Sequence, residues 1–193
     1  MPRICVFCGS RTGSRSDYAD AARRLGTALA ERGVGLVFGA GHIGLMGVLA
    51  DAVLVAGGEA IGVIPQGLVD RELAHERLTR LHIVDSMHQR KALMAELADA
   101  FLALPGGYGT LEELFEIVTW KQLRLHHKPI GLYNVAGFFD PLLAWIDHAI
   151  AHDFIQPKNR ELLAVGQEID SLLDQLLTPV PPAEGLEQGN LKI

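Results

Sequence analysis

The stretch AFLALPGGYGTLEELFEIVTW, residues 100–120, carries the strongest structural signal in the sequence. An apolar run over residues 100–104 precedes Pro105 and three glycines within four positions, and an acid-rich amphipathic segment follows Thr110. This order predicts a buried strand, a tight loop and a helix N-terminus. Unpaired backbone N–H groups and the positive end of the helix dipole attract anions, and glycines let a phosphate approach closely. The stretch therefore predicts a site for a phosphate-bearing ligand.

The rest of the chain repeats this order of strand, turn and helix. Apolar segments predict an edge strand near residues 162–165 and six further strands, at residues 3–8, 35–38, 60–64, 81–84, 100–104 and 128–133. Helices between the strands predict an α/β fold, a single-domain Rossmann-like doubly wound parallel sheet with helices on both faces. The domain is expected to span residues 1–178, and residues 179–193, which are rich in Pro and Gly, to form a flexible tail.

Ligands of such sheets bind beyond the carboxyl ends of the strands, where the strand order reverses. The turns that follow these ends are therefore expected to lie together. They are the dipeptide Gly9-Ser10, residues 39–44, the helix start at Met87 and residues 105–110. The sequence predicts one ligand cleft built from these four segments.

The composition limits the partners of the protein. A formal net charge of -6 over 193 residues opposes nucleic-acid binding, which needs a clustered basic surface. The apolar residues 44–65 are interrupted by Asp51 and Glu59, so no membrane span is expected. Residues 1–10 lead directly into an apolar strand without the features of a signal peptide, and the expected compartment is the cytoplasm.

The two cysteines, Cys5 and Cys8, have the CxxC spacing of redox and metal sites. Both lie in the first predicted strand, where residues three apart point to opposite faces of the sheet. We therefore expect two buried free thiols in a reducing compartment, rather than a disulfide or a metal site. The histidines lack the spacing of zinc ligands, and no metal is predicted.

Residues 39–44, GAGHIG, match the G-x-G-x-x-G pattern of dinucleotide-binding loops. The pattern follows the second predicted strand rather than the first, and the next strand ends IGVIP without an acid for the ribose. Glu59 precedes that strand and is badly placed for this role. A glycine turn that lines a nucleotide pocket explains these residues better than NAD or FAD binding, which stays an alternative.

Two helix starts carry residues that suit either structure or ligand binding. Thr110 and Glu113 fit a capping box, but Glu113 faces the sugar instead if a phosphate takes the same N–H groups. Arg90 and Lys91 follow Ser86 in the first turns of another helix, where cations oppose the helix dipole. An ordinary surface pair and a pair that binds phosphate or orients a carboxylate both fit Arg90 and Lys91.

The sequence resembles a known family, the Lonely Guy (LOG) family of cytokinin riboside 5′-monophosphate phosphoribohydrolases, often mislabelled as lysine decarboxylases. Four motifs carry the resemblance in their order and spacing, CVFCGS (5–10), GHIGLMG (41–47), MHQRK (87–91) and PGGYGTLEE (105–113). The resemblance covers residues 3–177. Ala40 and Ser86 depart from the family pattern, which usually has a glycine and an acid at these places.

The resemblance implies hydrolysis of the N-glycosidic bond of a nucleoside 5′-monophosphate, possible substrates including AMP, to free base and ribose 5-phosphate. It implies Arg90 and Glu113 as the catalytic pair of a homodimer without cofactor or metal, and a carboxylate suits an oxocarbenium-like transition state. Residues 107–110 are expected to hold the 5′-phosphate. The implied substrate-binding set comprises Glu72, Arg90, Lys91, Gly106, Gly107, Tyr108, Gly109, Thr110, Leu111, Glu112, Glu113 and Thr119.

Two other functions fit parts of the sequence. A non-catalytic carrier of a nucleotide or cofactor needs the glycine loop but not Arg90 and Glu113, so the pair favours the enzyme. A lysine decarboxylase needs a lysine that forms a Schiff base with pyridoxal phosphate, and Lys91, Lys121 and Lys128 lack a supporting context. The sequence therefore favours a hydrolase of a small molecule, without nucleic-acid or membrane partners.

Overall fold

The computed structural model describes residues 1–69 and 74–178, in which strands and helices alternate. Glu72 and the predicted tail at residues 179–193 lie outside the described residues. The strands are β1 (Arg3–Phe7), β2 (Gly35–Phe38), β3 (Ala60–Pro65), β4 (Arg80–Val84), β5 (Ala100–Ala103), β6 (Ile130–Tyr133) and β7 (Ala164–Gly166). The α-helices are α1 (Ser16–Glu31), α2 (Gly44–Val55), α3 (Gln66–Val69), α4 (Met87–Leu97), α5 (Tyr108–Gln122), α6 (Asp140–Ala151) and α7 (Ile169–Leu177).

The seven strands of the described residues form one sheet in the order β4-β3-β2-β1-β5-β6-β7, and each neighbouring pair is parallel. The chain moves outward from β1 to β4 and then continues on the other side of β1 with β5. Ile4 of β1 lies in register with Leu36 of β2 on one side and with Ala100 of β5 on the other. The predicted doubly wound sheet is confirmed, and its order reverses between β1 and β5.

Helices cover both faces of the sheet, and alternate strand residues supply two apolar cores. Residues of α1, α2 and α7 form one core with Ile4, and residues of α4, α5 and α6 form the other with Phe101. Cys8 belongs to the first core and Cys5 to the second, and both are free and buried. The prediction that the two thiols point to opposite faces is confirmed, and burial raises the pKa of each.

The start of α5 differs from the prediction. The helix begins at Tyr108, and Gly107 is its N-cap, with an extended backbone at φ -101° and ψ -150°. Thr110 therefore lies inside the first turn, so the capping box, one of the two roles considered for Thr110 and Glu113, is wrong. The side chain of Glu113 contacts another helix instead, as the site geometry below describes.

Other boundaries shift by one or two residues. Ser16 is the first residue of α1, and its N-cap is Arg15, whose side chain makes no capping hydrogen bond. Ser86 is the N-cap of α4, and its Oγ accepts a hydrogen bond from the N–H of Gln89 at 3.2 Å. The predicted edge strand begins later, at Ala164, because a 3-10 helix occupies Pro157–Leu162.

Candidate active site

A cleft of about 300 Å³ opens beyond the carboxyl ends of the central strands. Each of the four predicted segments contributes to it: Gly9 and Ser10 follow β1, Gly39 and Gly41 follow β2, Arg90 comes from α4, and the glycine loop leads into α5. The prediction that these segments meet in one cleft is confirmed. The lining residues are Cys8, Gly9, Ser10, Gly39, Gly41, Ile43, Met46, Ile64, Leu68, Arg90, Gly107, Tyr108, Gly109, Thr110 and Glu113.

The glycines of the loop before α5 have two different purposes. A Cβ atom on Gly106 would lie 2.0 Å from Oγ1 of Thr110 and 2.9 Å from the backbone nitrogen of Gly9, so Gly106 is required by packing. A Cβ on Gly107 or Gly109 would meet nothing within 4 Å. These two positions therefore border open space in the cleft, and bare backbone there is accessible to a ligand.

The first turn of α5 presents backbone donors to the cleft. The N–H of Leu111 donates to the carbonyl of Gly107 at 3.1 Å and closes the first turn of the helix. The amides of Tyr108, Gly109 and Thr110 precede this bond, and such amides have no carbonyl partner within a helix. Together with the positive end of the helix dipole they form an anion site on the cleft wall.

Arg90 is held by backbone oxygens at the bottom of the cleft and is only 9% exposed. Its Nε donates to the carbonyl of Val63 at 3.1 Å, and its Nη2 donates to the carbonyl of Gly39 at 3.3 Å. Its Nη1 lies 3.4 Å from Oε1 of Glu113 and 3.8 Å from the sulfur of Met87. A guanidinium with this many partners has a fixed position, so Arg90 is not an ordinary surface cation.

Glu113 faces Arg90 from α5, and its side chain is 12% exposed. Burial raises the pKa of Glu113 to about 7, although Arg90 and Lys91 lower it, and Glu112 and Glu116 raise it further. Desolvation thus outweighs the attraction of the guanidinium. A carboxyl group with this pKa both holds and releases a proton near neutral pH, as acid–base catalysis requires.

Lys91 points away from the cleft and connects α4 to α5. Its Nζ donates to Oε1 of Glu112 at 2.5 Å and to Oε1 of Glu116 at 2.9 Å. Burial lowers the pKa of Lys91, but the hydrogen bonds that Lys91 donates to the two carboxylates outweigh burial, and the pKa rises overall. The Glu112 side chain is 54% exposed, so this cluster reaches the surface beside Arg90 and Glu113.

The structure brings about half of the predicted substrate-binding set to the cleft. The members that line it are Arg90, Gly107, Tyr108, Gly109, Thr110 and Glu113. The described members that do not line it are Lys91, Gly106, Leu111, Glu112 and Thr119. Thr119 is exposed two turns further along α5, and Glu72 lies outside the described residues.

Sequence patterns did not identify the apolar wall of the cleft as part of the site. This wall consists of Cys8, Ile43, Met46, Ile64 and Leu68. In the sequence Cys8, Met46 and Ile64 belong to apolar segments that predict core positions, whereas Ile43 lies in the glycine turn 39–44 that was expected at the cleft. Their place at the ends of strands and turns is the one available signal, and it requires the strand order to be known.

The fold and the cleft define a Rossmann-like α/β protein with an anion site beside a buried arginine–glutamate pair. A family model described as "Possible lysine decarboxylase" matches residues 46–176. The probable cytokinin riboside 5′-monophosphate phosphoribohydrolase LOGL5 of Oryza sativa subsp. japonica is 52% identical over 180 residues, covering 93% of this chain and 73% of that protein. The cytokinin riboside 5′-monophosphate phosphoribohydrolase LOG1 of Arabidopsis thaliana is 50% identical over 182 residues, covering 94% of this chain and 85% of that protein.

The chain therefore belongs to the family of cytokinin riboside 5′-monophosphate phosphoribohydrolases, and the resemblance noted in its motifs is confirmed. Among solved structures, the molybdenum cofactor carrier protein of Chlamydomonas reinhardtii has a similar fold, with a TM-score of 0.70. The two chains are 20% identical, and the likeness covers 92% of this chain and 99% of the carrier. At this identity the likeness shows the fold alone.

Proposed function

We propose that the protein hydrolyses the N-glycosidic bond of cytokinin riboside 5′-monophosphates and of related nucleoside 5′-monophosphates such as AMP. Water adds to C1′ of the ribose, the bond from C1′ to the base nitrogen breaks, and the base leaves with a proton. The products are the free base and ribose 5-phosphate. The activity named for relatives that are 50% and 52% identical supports this reaction.

The observation that carries the proposal is the buried pair of Arg90 and Glu113 beside an open glycine loop. Glu113 follows Gly109 by four residues in α5, about one helical turn. A phosphate bound at residues 107–110 thus leaves the attached ribose within reach of the carboxyl group. A carrier protein has no need for such a pair.

The proposed roles follow from the charge that develops during cleavage. The ribose becomes positively charged as the base departs, and the carboxylate of Glu113 stabilises this charge and accepts a proton from the attacking water. Arg90 holds Glu113 in position and does not protonate the departing base, because a guanidinium is a poor proton donor. Loss of one such electrostatic group raises the barrier by about 2.7–4 kcal/mol, or roughly 10²–10³ in turnover.

The test is incubation of the purified protein with isopentenyladenosine 5′-monophosphate and, separately, with AMP, followed by chromatography for free base. We expect release of base by the wild type and a loss of about 10²–10³ in turnover for Glu113→Gln. Glu112→Gln is the matched control, because it removes the neighbouring carboxylate, which does not line the cleft. Base release at the wild-type rate by Glu113→Gln would refute the proposed role of Glu113.

The same samples separate the enzyme from a nucleotide carrier. Calorimetric titration with AMP measures binding independently of turnover, and a carrier binds AMP without releasing adenine. Binding by the wild type without release of base from either substrate would favour the carrier. The structural likeness to a carrier at 20% identity supports only a common fold, so the enzyme is the stronger candidate.

The lysines do not support a decarboxylase. Lys91 is engaged by two carboxylates, and the Nζ atoms of Lys121 and Lys128 donate to backbone carbonyls. Within the described part of the chain, no lysine lines the cleft. We therefore propose a reaction that does not need pyridoxal phosphate.

We also propose that the protein acts as a homodimer in the cytoplasm, with residues 1–178 as one catalytic unit. Leu123 and Leu125, at and just beyond the end of α5, are exposed apolar side chains that suit an interface between two copies. Two buried free thiols fit a reducing compartment. None of the helices in residues 1–69 and 74–178 is long and apolar enough to cross a membrane.

A further inference from the structure

The two glycine loops of the cleft have different surroundings: one packs against protein side chains, and the other borders open space. A Cβ atom on Gly39 would lie 1.9 Å from Nη2 of Arg90, and a Cβ on Gly41 would lie 2.6 Å from Cε of Met46. At Gly107 and Gly109 the same atom meets open space. The loop that resembles a dinucleotide motif thus accommodates protein side chains, whereas the loop before α5 is open to a ligand.

We propose that Gly39 is a positioning residue, whose missing side chain lets the guanidinium of Arg90 lie opposite Glu113. The inference rests on the proposed function of the cleft. Gly39 contributes both the space that Nη2 fills and the carbonyl that accepts its hydrogen bond at 3.3 Å. Because the guanidinium is planar and rigid, a displacement of Nη2 also moves Nη1 relative to Oε1 of Glu113.

An alanine at position 39 is tolerated by the backbone but not by the arginine. Gly39 is not among the glycines with a positive φ, so alanine adopts its conformation without strain. The nearest atoms to the added methyl group are Nη2 and Cζ of Arg90, at 1.9 and 3.1 Å, which belong to the end of a flexible side chain. The guanidinium therefore moves while the fold stays intact.

A direct role of Gly39 in ligand binding makes a different prediction. If its bare backbone lies against the substrate, an added methyl group blocks binding and raises KM, whatever residue occupies position 90. If Gly39 acts through Arg90, the methyl group lowers kcat and has no further effect once the guanidinium is gone. A double-mutant cycle on Gly39 and Arg90 distinguishes these cases.

The experiment measures kcat and KM for Gly39→Ala, Arg90→Ala and the double variant, with isopentenyladenosine 5′-monophosphate as substrate. We expect Gly39→Ala to lower kcat about 100-fold with KM within about threefold of wild type. In the Arg90→Ala background the same change is expected to alter kcat less than about twofold. Gly35→Ala is the matched control, because Gly35 begins β2, the strand that Gly39 follows, and does not line the cleft. The added methyl group there meets Oε2 of Glu59 at 3.0 Å.

The crystal structure of Gly39→Ala provides a readout that does not depend on activity. We expect the distance from Nη1 of Arg90 to Oε1 of Glu113 to increase beyond the 3.4 Å of the wild type. The proposal would be overturned if the Arg90 guanidinium keeps its position in Gly39→Ala, if kcat stays at the wild-type value, or if only KM rises. It would also be overturned if Gly39→Ala lowers kcat by the same factor in the Arg90→Ala background. If Gly39→Ala does not fold but the double variant does, the result supports a clash between the added methyl group and Arg90. If neither variant folds, the proposal is overturned.

A wild-type protein without hydrolase activity would refute the proposed function and leave the positioning of Arg90 testable. The displacement of the guanidinium in Gly39→Ala is then decided by the crystal structure alone. Failure of the proposed function and failure of the inference thus give different results.

Discussion

Glu113 binds its proton more tightly in the folded chain than an exposed glutamate does, because burial raises its pKa from 4.5 to about 7. Between these pH values the folded state holds more protons than the unfolded state, so the free energy of unfolding falls as the pH rises. A pKa shift of this size corresponds to about 3 kcal/mol. We expect Glu113→Gln to flatten the pH–stability curve in this window and to be more stable than wild type at about pH 8.

Denaturant unfolding at about pH 5 and about pH 8 measures this effect. Glu112→Gln is the control, because Glu112 is about half exposed and interacts with Lys91 rather than Arg90. Wild type and Glu112→Gln are expected to lose more stability than Glu113→Gln on going to the higher pH. Parallel curves for all three proteins would contradict a strongly raised pKa of Glu113.

Ala40 shows how a departure from the family pattern is accommodated. Its φ of 61° lies in the left-handed region, which costs a non-glycine residue about 1–2 kcal/mol. Glycine removes this strain, but it also removes a buried methyl group and adds freedom to the unfolded chain, effects that together amount to about 1–2 kcal/mol. Ala40→Gly is therefore expected to change the free energy of unfolding by less than about 1 kcal/mol.

Ala40→Val tests the same backbone strain by increasing it. A β-branched residue is a genuine outlier in the left-handed region, and Ala40 is fully buried against Gly62, so valine is expected to destabilise the protein by about 2 kcal/mol or more. Thermal or denaturant unfolding of the two variants gives the comparison. Equal stability of the glycine and valine variants would show that the backbone at position 40 is unstrained.

Single residues also show what the sequence could and could not predict. Arg90 stood out because a cation in the first turn of a helix opposes the dipole, and Glu113 because it follows the glycine loop by one turn. Met46, Ile64 and Leu68 have no such mark, since an apolar residue at the mouth of a cleft has the same periodicity as one in the core. Their contribution depends on tertiary structure that local patterns do not encode.

The helices α4 and α5 carry Arg90 and Glu113, the proposed catalytic pair, and Lys91 links the two helices through Glu112 and Glu116. Lys91 lowers the pKa of Glu113, whereas the two carboxylates raise it. We expect Lys91→Met to cost about 1 kcal/mol of stability, because the pairs are partly exposed. We also expect it to move the limb of the pH–rate profile that reports Glu113 to higher pH, since Arg90 alone then opposes the carboxylates.

The pH dependence of kcat/KM for Lys91→Met and Lys91→Arg measures this shift. Arginine retains the positive charge and reaches the same two carboxylates, so its profile is expected to match that of wild type. A profile of Lys91→Met that coincides with wild type, with a raised KM instead, would indicate that Lys91 contacts substrate directly.

The elements themselves were largely predictable, and the exception is informative. Most of the strands are short apolar runs with a glycine or proline nearby, so their positions followed from the sequence pattern to within a few residues. The start of α5 could not be located from the sequence in this way, because Thr110 and Glu113 have the residue types of a capping box. Gly107 is the N-cap and the helix begins at Tyr108, two residues before Thr110, a start that local residue preferences do not reveal.

At the scale of the whole molecule, the alternation of strands and helices was sufficient to predict a doubly wound parallel sheet, although the order of its strands comes from the structure. Parallel strands joined by right-handed crossovers leave few possible orders, and glycine turns after several strands indicate the ligand edge. The surface that meets a second copy is not constrained in this way. An apolar groove of about 350 Å³ between α4 and the end of α5 suits such a surface, and Phe101, Trp120, Leu125 and His126 are among its lining residues.

The proposed homodimer is tested by placing a charge in this groove. Leu125 is 45% exposed, and Leu125→Glu would bury an unpaired carboxylate at an interface formed there, so we expect at least a tenfold weaker dimer, roughly 1.4 kcal/mol or more. Val55→Glu is the matched control, because Val55 is 83% exposed at the end of α2, on the opposite face of the sheet. Sedimentation equilibrium measures both. A wild type that is monomeric at micromolar concentrations would contradict the dimer, and a dimer that Val55→Glu alone disrupts would place the interface on the other face.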